Sequence, residues 1–561
     1  MSSCLLSIDT STTTVLHLST HIQLVWFKKD LRIHDHDVLH AAALRGPVVC
    51  LYIYEPSMWQ SPEYEESHLN FVNQSLGELR RQLRKMNGVL LLRHGDVVNC
   101  LTRLHDAMPF AALWSHEETG NMLSYKCDLA VKSWCKLRDI PWTELPQTGV
   151  IRRLKSRDGW AKTWYARMSR PIKPAPTNLH APACFAGEQG AFRAPPTGQI
   201  CTAKALGCAG STKTEVQLGG ESLAVQTLDS FLTSRGRIYR GSMSSPNTAT
   251  THCSRLSPYI TWGNISVRSV YQQAQARHRA LRESIKSGEQ ISPRWLKSMT
   301  SFSSRLRWHC HFMQKLEDQV DIEHRNLARM CDGLRVENSD DWSLTEKRYF
   351  DAWCAGRTGY PLVDAVMRSL HQTGWTNFRM RAMLISFASY HLWLHWRQPA
   401  IFLARHFLDF EAGIHFSQSQ MQSGVTAINA IRIYSPIKQA QDQDPQGVFI
   451  RKYVPELANV PAAHVAEPHK MTHDEQLKYD CIIGTDYPQP IVDHSAAYQS
   501  AREKIYSART GEIAKSEAKA IYVKHGSRLR KRHETRKKGA KRTSKRRSKK
   551  PEDKRQLSLF S

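Results

Sequence analysis

Charged side chains in the aromatic carboxyl-terminal half of the chain are its first candidates for chemistry. Arg381 lies in a helical pattern, and Asp409 and Glu411 follow just beyond the next helix, among Trp375, Trp393 and Trp396. A buried charge without a partner costs several kcal/mol, so these groups must pair. They form either a structural ion pair or the charged wall of a ligand pocket. A second stretch, Ser254-Arg255-Leu256-Ser257-Pro258-Tyr259, gathers hydroxyls, backbone amides and a cation at a helix start. That is equipment for holding a diphosphate, although a plain Ser-Pro turn has the same composition. Glu117-Glu118-Thr119-Gly120-Asn121 follows a strand end, where an α/β sheet binds ligands, and suits a surface turn equally well. His391 and His395 stand one helical turn apart but lack the Glu of H-E-x-x-H, so packing accounts for them and no metal site is expected.

The chain ends in Gln556-Leu557-Ser558-Leu559-Phe560. An amide that bonds directionally, followed by Leu557, Leu559 and Phe560 for apolar pockets, resembles the short peptide by which bacterial polymerases and repair proteins hook onto the sliding clamp. The 561 residues carry a net charge of +27, and the run from Lys524 to Arg555 supplies about half of it. The body is therefore basic too. This excess implies a polyanionic partner, with DNA held through counterion release, or a tail that merely solubilises. Thirteen cysteines without a C-x-x-C pair fit a reducing cytosol and neither a disulfide nor a zinc framework. No apolar run approaches the roughly 18 to 20 residues that span a bilayer, so no membrane partner is expected. Residues 1–21 read as a flexible extension, the location as cytoplasmic and nucleoid-associated, and the default state as a monomer.

The elements that must position these groups divide the chain in two. Apolar runs at Ile22 to Phe27, Val48 to Tyr54, Val89 to Leu92 and Ala111 to Trp114 alternate with helical stretches such as Leu69 to Met86. This rhythm predicts a parallel-sheet, Rossmann-like α/β domain over 22–150. Composition rich in Pro, Gly, Ala, Ser and Thr marks an irregular linker within 151–222. From there to 522 long amphipathic patterns, including Leu306 to Asn326, Leu362 to Leu370 and Met380 to Trp396, predict an all-helical domain. A disordered basic tail, 523–561, completes the chain.

Ordered pieces of both halves resemble the cryptochrome/photolyase family. They are Val25-Trp26-Phe27-Lys28-Lys29-Asp30-Leu31-Arg32, Ile238 to Tyr239, Ser254 to Tyr259, Gly359-Tyr360-Pro361-Leu362-Val363-Asp364, Gly374-Trp375 and Ile431-Arg432-Ile433-Tyr434-Ser435-Pro436. The resemblance implies FAD in the helical domain, with Tyr239, Cys253, Ser254, Arg255, Leu256 and Ser257 on its phosphates and ribityl chain. Trp308, Trp375 and Arg381 would form the pocket wall, Asp409 and Glu411 the acidic positions, and His415 would face flavin N5. It also implies an antenna, folate or deazaflavin, in the amino-terminal domain near Glu117 to Asn121.

The implied activity is light-driven splitting of pyrimidine photoproducts in DNA, with a cryptochrome-type photoreceptor as the alternative. Arg305, Trp308, Phe378, Arg379 and Met421 match lesion- or DNA-facing positions. Two departures stand out. Arg305 and Phe378 replace a lesion-bonding Glu and Asn, and Arg cannot accept a hydrogen bond or return a proton as a carboxyl does. In the tryptophan relay, Trp396 matches the middle member and Trp342 lies near the surface member, but Ser419 stands at the flavin-proximal position. Trp393, Tyr390 and Phe416 are the aromatics available nearby.

Overall fold

Each apolar run of the amino-terminal third is a strand: β1 Gln23–Phe27, β2 Val48–Tyr54, β3 Val89–His94 and β4 Ala112–His116. β1 and β2 are buried along their whole length, as expected of strands covered on both faces. A fifth, β5 Trp142–Leu145, adds an edge; its four half-buried residues form no apolar run, which hid it in the sequence. The sheet is parallel throughout, in the order β3-β2-β1-β4-β5. The structure, a computed structural model, describes residues 21–182, 185 and 196–527. The terminal peptide, Gln556, Leu557, Leu559 and Phe560, lies outside the described residues, as do residues 1–20.

The linker does more than connect. Leu179 accepts a hydrogen bond from Val48 and Thr197 from Leu92, so the segment lies along β2 and β3. It also contains a helix, Trp160–Met168, whose Trp164 is fully buried.

The remainder is helical. Its spine, Pro293–Asp318, starts with proline in the first turn and a Ser292 cap, well before the Leu306 to Asn326 pattern begins, and stops short of that pattern's end. The stretch from Met380 to Trp396 is not one helix. Phe378–Ser386 gives way to a wide π turn, Phe387–His391, then to Trp393 at φ +55°, and a new helix begins at Arg397. His391 and His395 thus share no helical face. His391 Nε2 meets His494 Nδ1 at 3.0 Å, whereas the His395 ring packs on Trp396 at 5.4 Å. The last helix, Glu512–His525, continues past Tyr522 and buries Ile521 in the main core, so the ordered body extends three residues beyond the expected boundary.

The turn after β1 joins the two domains. Buried Arg32 donates to the carbonyls of His34, Asp35 and Gly263, while Glu221 accepts from the amides of Ile33 and His34. Arg268 closes the seam on Asp35. Gly263 is required there: at φ +71° a Cβ would sit 2.2 Å from the Lys29 carbonyl.

Asp30, in the same turn, accepts from the Lys28 amide and lies 2.7 Å from His116 Nδ1 and 3.1 Å from His36 Nε2. These three buried residues are close enough to suggest a metal site. However, His36 Nδ1 accepts from the Leu39 amide and caps a helix. Its proton is therefore on Nε2, which cannot ligate a metal.

Burial holds several histidines neutral. It lowers His68, His116 and His395 to about 4 and His391 to about 3. Unfolding frees them to protonate near their ordinary value of 6.5, so their full contribution is present above that pH and is lost as pH falls toward 4. Each contributes a slope of up to about 1.4 kcal/mol per pH unit in this window. The urea midpoint is expected to fall steeply between pH 7 and 5; a flat midpoint there would contradict the neutral histidines.

Candidate functional site

Arg381 Nη2 donates to Asp409 Oδ2 at 2.9 Å, and its Nε donates to the Thr376 carbonyl at 2.8 Å. The guanidinium also lies 4.0 Å from the centre of the Phe407 ring. Burial pushes the Asp409 carboxyl up, but Arg381 outweighs it and holds the group below the usual carboxylate range. The nearby Ser257 hydroxyl favours the anion as well. Even so, no described residue makes a well-formed hydrogen bond to Asp409 Oδ1, a buried atom.

Glu411, two residues on, is turned to another partner. Its Oε2 lies 2.8 Å from His309 Nε2. Burial acts to neutralise His309, but Glu411 overrides it and raises the imidazole well above its ordinary value, so the pair is ionic. Gly413 permits this approach, because a Cβ there would lie 2.8 Å from the Met313 backbone of the spine helix. The Arg381 side chain remains 24% accessible, and those of His309 and Glu411 remain 14% accessible each. His309 and Glu411 line a small interdomain cavity, and Arg381 is partly open to solvent.

The Cys253 to Ser257 loop closes another side. Arg255 adopts φ +61° and its guanidinium lies 4.0 Å from the Trp375 ring centre. Burial lowers Arg255 to about 10. The Cys253 thiol is pushed up to about 11 by burial, although Arg305, Arg255, Arg235 and Arg381 all act on it in the opposite sense. Four guanidinium groups therefore converge on this loop. Beside it lies a cavity of about 510 Å³, whose lining includes Arg255, Trp375, Asn377, Thr251 and Lys452. Tyr239 is buried against Phe231 and Phe302, and its hydroxyl is pushed up to about 12 by that burial. Leu256 is buried in the main core.

His415 Nε2 lies 2.7 Å from the Ala400 carbonyl and donates to it, which leaves Nδ1 as an acceptor. Burial lowers this imidazole to about 4, so it is neutral. Next to it, Phe416 packs between the His415 ring at 5.5 Å and the Trp396 ring at 6.3 Å. Trp396 and Trp342 are not brought together: Trp396 belongs to the main core, and Trp342 packs on Phe350 in a second core. Ser419 is buried. Trp393 and Tyr390 pack instead with the carboxyl-terminal helices, and Trp393 has two cations against its ring, Arg335 at 4.3 Å and Lys504 at 4.6 Å. Positive charges so placed oppose the removal of an electron from that ring.

Among the DNA-side positions, Trp308 is half-buried and packs edge-on against His311 at 5.0 Å. Arg305 Nη2 meets the Met243 sulfur at 3.0 Å, and its guanidinium lies 5.9 Å from the Tyr239 ring. Arg379 donates to Gln439 at 3.4 Å. Phe378 and Met421 are half-buried on their helices. Glu117 to Asn121 face an interdomain cleft and not open solvent: Glu118 pairs with Lys28 at 3.7 Å, and Thr119 donates to Glu317 at 2.7 Å. The cavity left there is about 50 Å³, room for a few waters.

Four contributors escaped sequence reasoning: His309, Asn377, Arg235 and Gln217. His309 was detectable as the residue following Trp308, but its partner Glu411 lies 102 residues away. Asn377 holds the Met243 and Ser244 carbonyls and keeps its own buried Oδ1 unpartnered.

The sequence pattern of DNA photolyase matches residues 23–157, and that of the FAD-binding domain of DNA photolyase matches 302–507. A cryptochrome DASH of Gloeobacter violaceus is 28% identical, over 88% of this chain and 97% of its own. A deoxyribodipyrimidine photo-lyase of Agrobacterium fabrum is also 28% identical, over 87% and 98%. In fold, the chain is similar to a class III photolyase from Agrobacterium tumefaciens, with a TM-score of 0.74, 24% identity, and coverage of 89% of this chain and all of the other. A Synechocystis cryptochrome scores 0.73 at 22% identity, with 86% and 98% covered. The chain is a flavoprotein of α/β plus helical architecture. It belongs to the cryptochrome/photolyase family, and its helical part is the FAD-binding domain.

The residues present fit that cofactor. Clustered guanidinium groups suit a diphosphate, the unpartnered Asp409 Oδ1 suits an N–H donor of a ring, and the cavity volume is that of an ordinary cofactor site. Asp409→Ala should yield a folded protein with most of its flavin absorbance lost. A variant that remained fully yellow after gel filtration would remove Asp409 from the site.

Proposed function

We propose that this protein is a light-driven DNA-repair flavoprotein that splits ultraviolet pyrimidine photoproducts. One observation carries the reading: a cavity of about 510 Å³ lies beside the arginine-rich Cys253 to Ser257 loop, in the same helical domain that carries half-buried Trp308 on its spine helix. An aromatic face for an unstacked base is thus offered by the same domain as the cofactor cavity. Reduced FAD, when bound and excited by light, supplies an electron to the lesion and takes it back.

The chain's own residues do the rest. Tyr239, Cys253, Ser254, Arg255, Leu256 and Ser257 hold the phosphates and ribityl chain. Trp375, Arg381, Asp409 and Glu411 orient the rings, and His415 offers an acceptor and no proton. Trp308 and Met421 flank the flipped bases, while Arg305, Phe378 and Arg379 complete the DNA side. The basic body and tail bind phosphates, and Gln556, Leu557, Leu559 and Phe560 attach the protein to a sliding clamp. An antenna at Glu117 to Asn121 requires the small interdomain cavity to open.

The photoreceptor reading rests on Arg305, on buried Ser419, and on Trp396 and Trp342 lying in separate cores. To decide, protein with chemically reduced FAD is illuminated with damaged oligonucleotides, and cyclobutane and six-four lesions are followed by chromatography. Light-dependent loss of either supports repair; survival of both, with FAD bound and photoactive, moves the function to sensing. Leu559→Ala with Phe560→Ala is expected to abolish clamp association in a pull-down with purified clamp, whereas undiminished capture would exclude that partner.

A further inference from the structure

Arg235 divides its guanidinium between the helix before it and the chain from Thr251 to Ser254. Its Nε donates to Ser230 Oγ at 3.0 Å, Nη1 donates to the carbonyls of Thr251 and Cys253 at 3.1 and 2.6 Å, and Nη2 donates to those of Thr227 and Ser254 at 3.0 and 3.2 Å. Gln217, from the linker, takes the next residue: its Nε2 donates to the Arg255 carbonyl and its Oε1 accepts from Arg255 Nε, both at 3.0 Å. This two-point grip brackets the residue held at φ +61°.

Peptide planarity turns these contacts into a direction. In a trans peptide the C=O and the following N–H point opposite ways, and the described residues contain no cis bond. Because the Cys253 and Ser254 carbonyls point at Arg235, the amides of Ser254 and Arg255 point away from it. Neither amide has an acceptor among the described residues. Two consecutive free N–H groups, with Arg255, Arg305 and Arg381 acting on the same loop, make an anion nest.

We infer that Arg235 and Gln217 are positioning residues that pre-form this nest for the diphosphate of the cofactor. The inference rests on the flavin reading and adds to it. Both also line the cavity, but their hydrogen bonds are spent on the loop. Arg235 acts by fixing carbonyls outward, and Gln217 by holding the left-handed turn.

The test separates phosphate recognition from general support. Full-length chain stripped of flavin is titrated with FAD and with riboflavin, which lacks phosphates, for wild type, Arg235→Gln and Gln217→Ala, with far-ultraviolet circular dichroism checking the fold. Arg235→Gln is expected to weaken FAD by about 10- to 100-fold, from lost bonds to a charged group, with riboflavin affinity little changed. Arg235→Lys should not restore it, because an ammonium cannot span four carbonyls. Gln217→Ala, the milder change, should show the same selective loss. Equal weakening of both ligands, or FAD affinity unaltered in both variants, would overturn the inference. A wild type that bound no FAD would instead remove the flavin reading itself.

Discussion

Electrical balance in a buried space governs this molecule. Arg235, Arg255, Arg305 and Arg381 converge on one loop, where Asp409 pairs with Arg381 while Glu411 is committed to His309. Guanidinium groups cannot shed their charge as lysines do, so the surplus must be met by carbonyl oxygens, by aromatic faces or by a bound anion. All three devices are in use or in waiting: Arg235 takes carbonyls, Arg255 takes the face of Trp375, and the free amides and open cavity leave a place for phosphates. The cofactor's diphosphate would complete the balance.

That balance draws on the whole chain. Gln217 reaches the loop only because the linker runs along β2 and β3 before returning to the helical domain. The seam of Arg32, Asp35, Glu221 and Arg268 fixes the point of return. Buried polar contacts of this kind hold one arrangement because each leaves an unpaired group when broken.

The aromatic residues follow a different logic. Phe416 bridges His415 and Trp396, but Trp342 is in another core and Trp393 stands against two cations. Among the described residues these aromatics form no continuous stack, while a cavity of cofactor size lies beside the arginine-rich loop.

By itself the sequence determined the strands, because β1 and β2 are continuous apolar runs, and it determined the chemistry of Arg381 with Asp409, because no buried aromatic segment tolerates them unpaired. It also carried the family resemblance and the terminal peptide. It did not reveal β5, whose residues are half-buried, or the break after Ser386, where the hydrophobic period runs on through a π turn. The pairing of His309 with Glu411, the neutral His415, and the hold of Arg235 and Gln217 on the loop were decided only by tertiary structure. Each joins segments distant in sequence, and residue spacing along a chain records which face a side chain occupies but not which charge or carbonyl another element will bring to it.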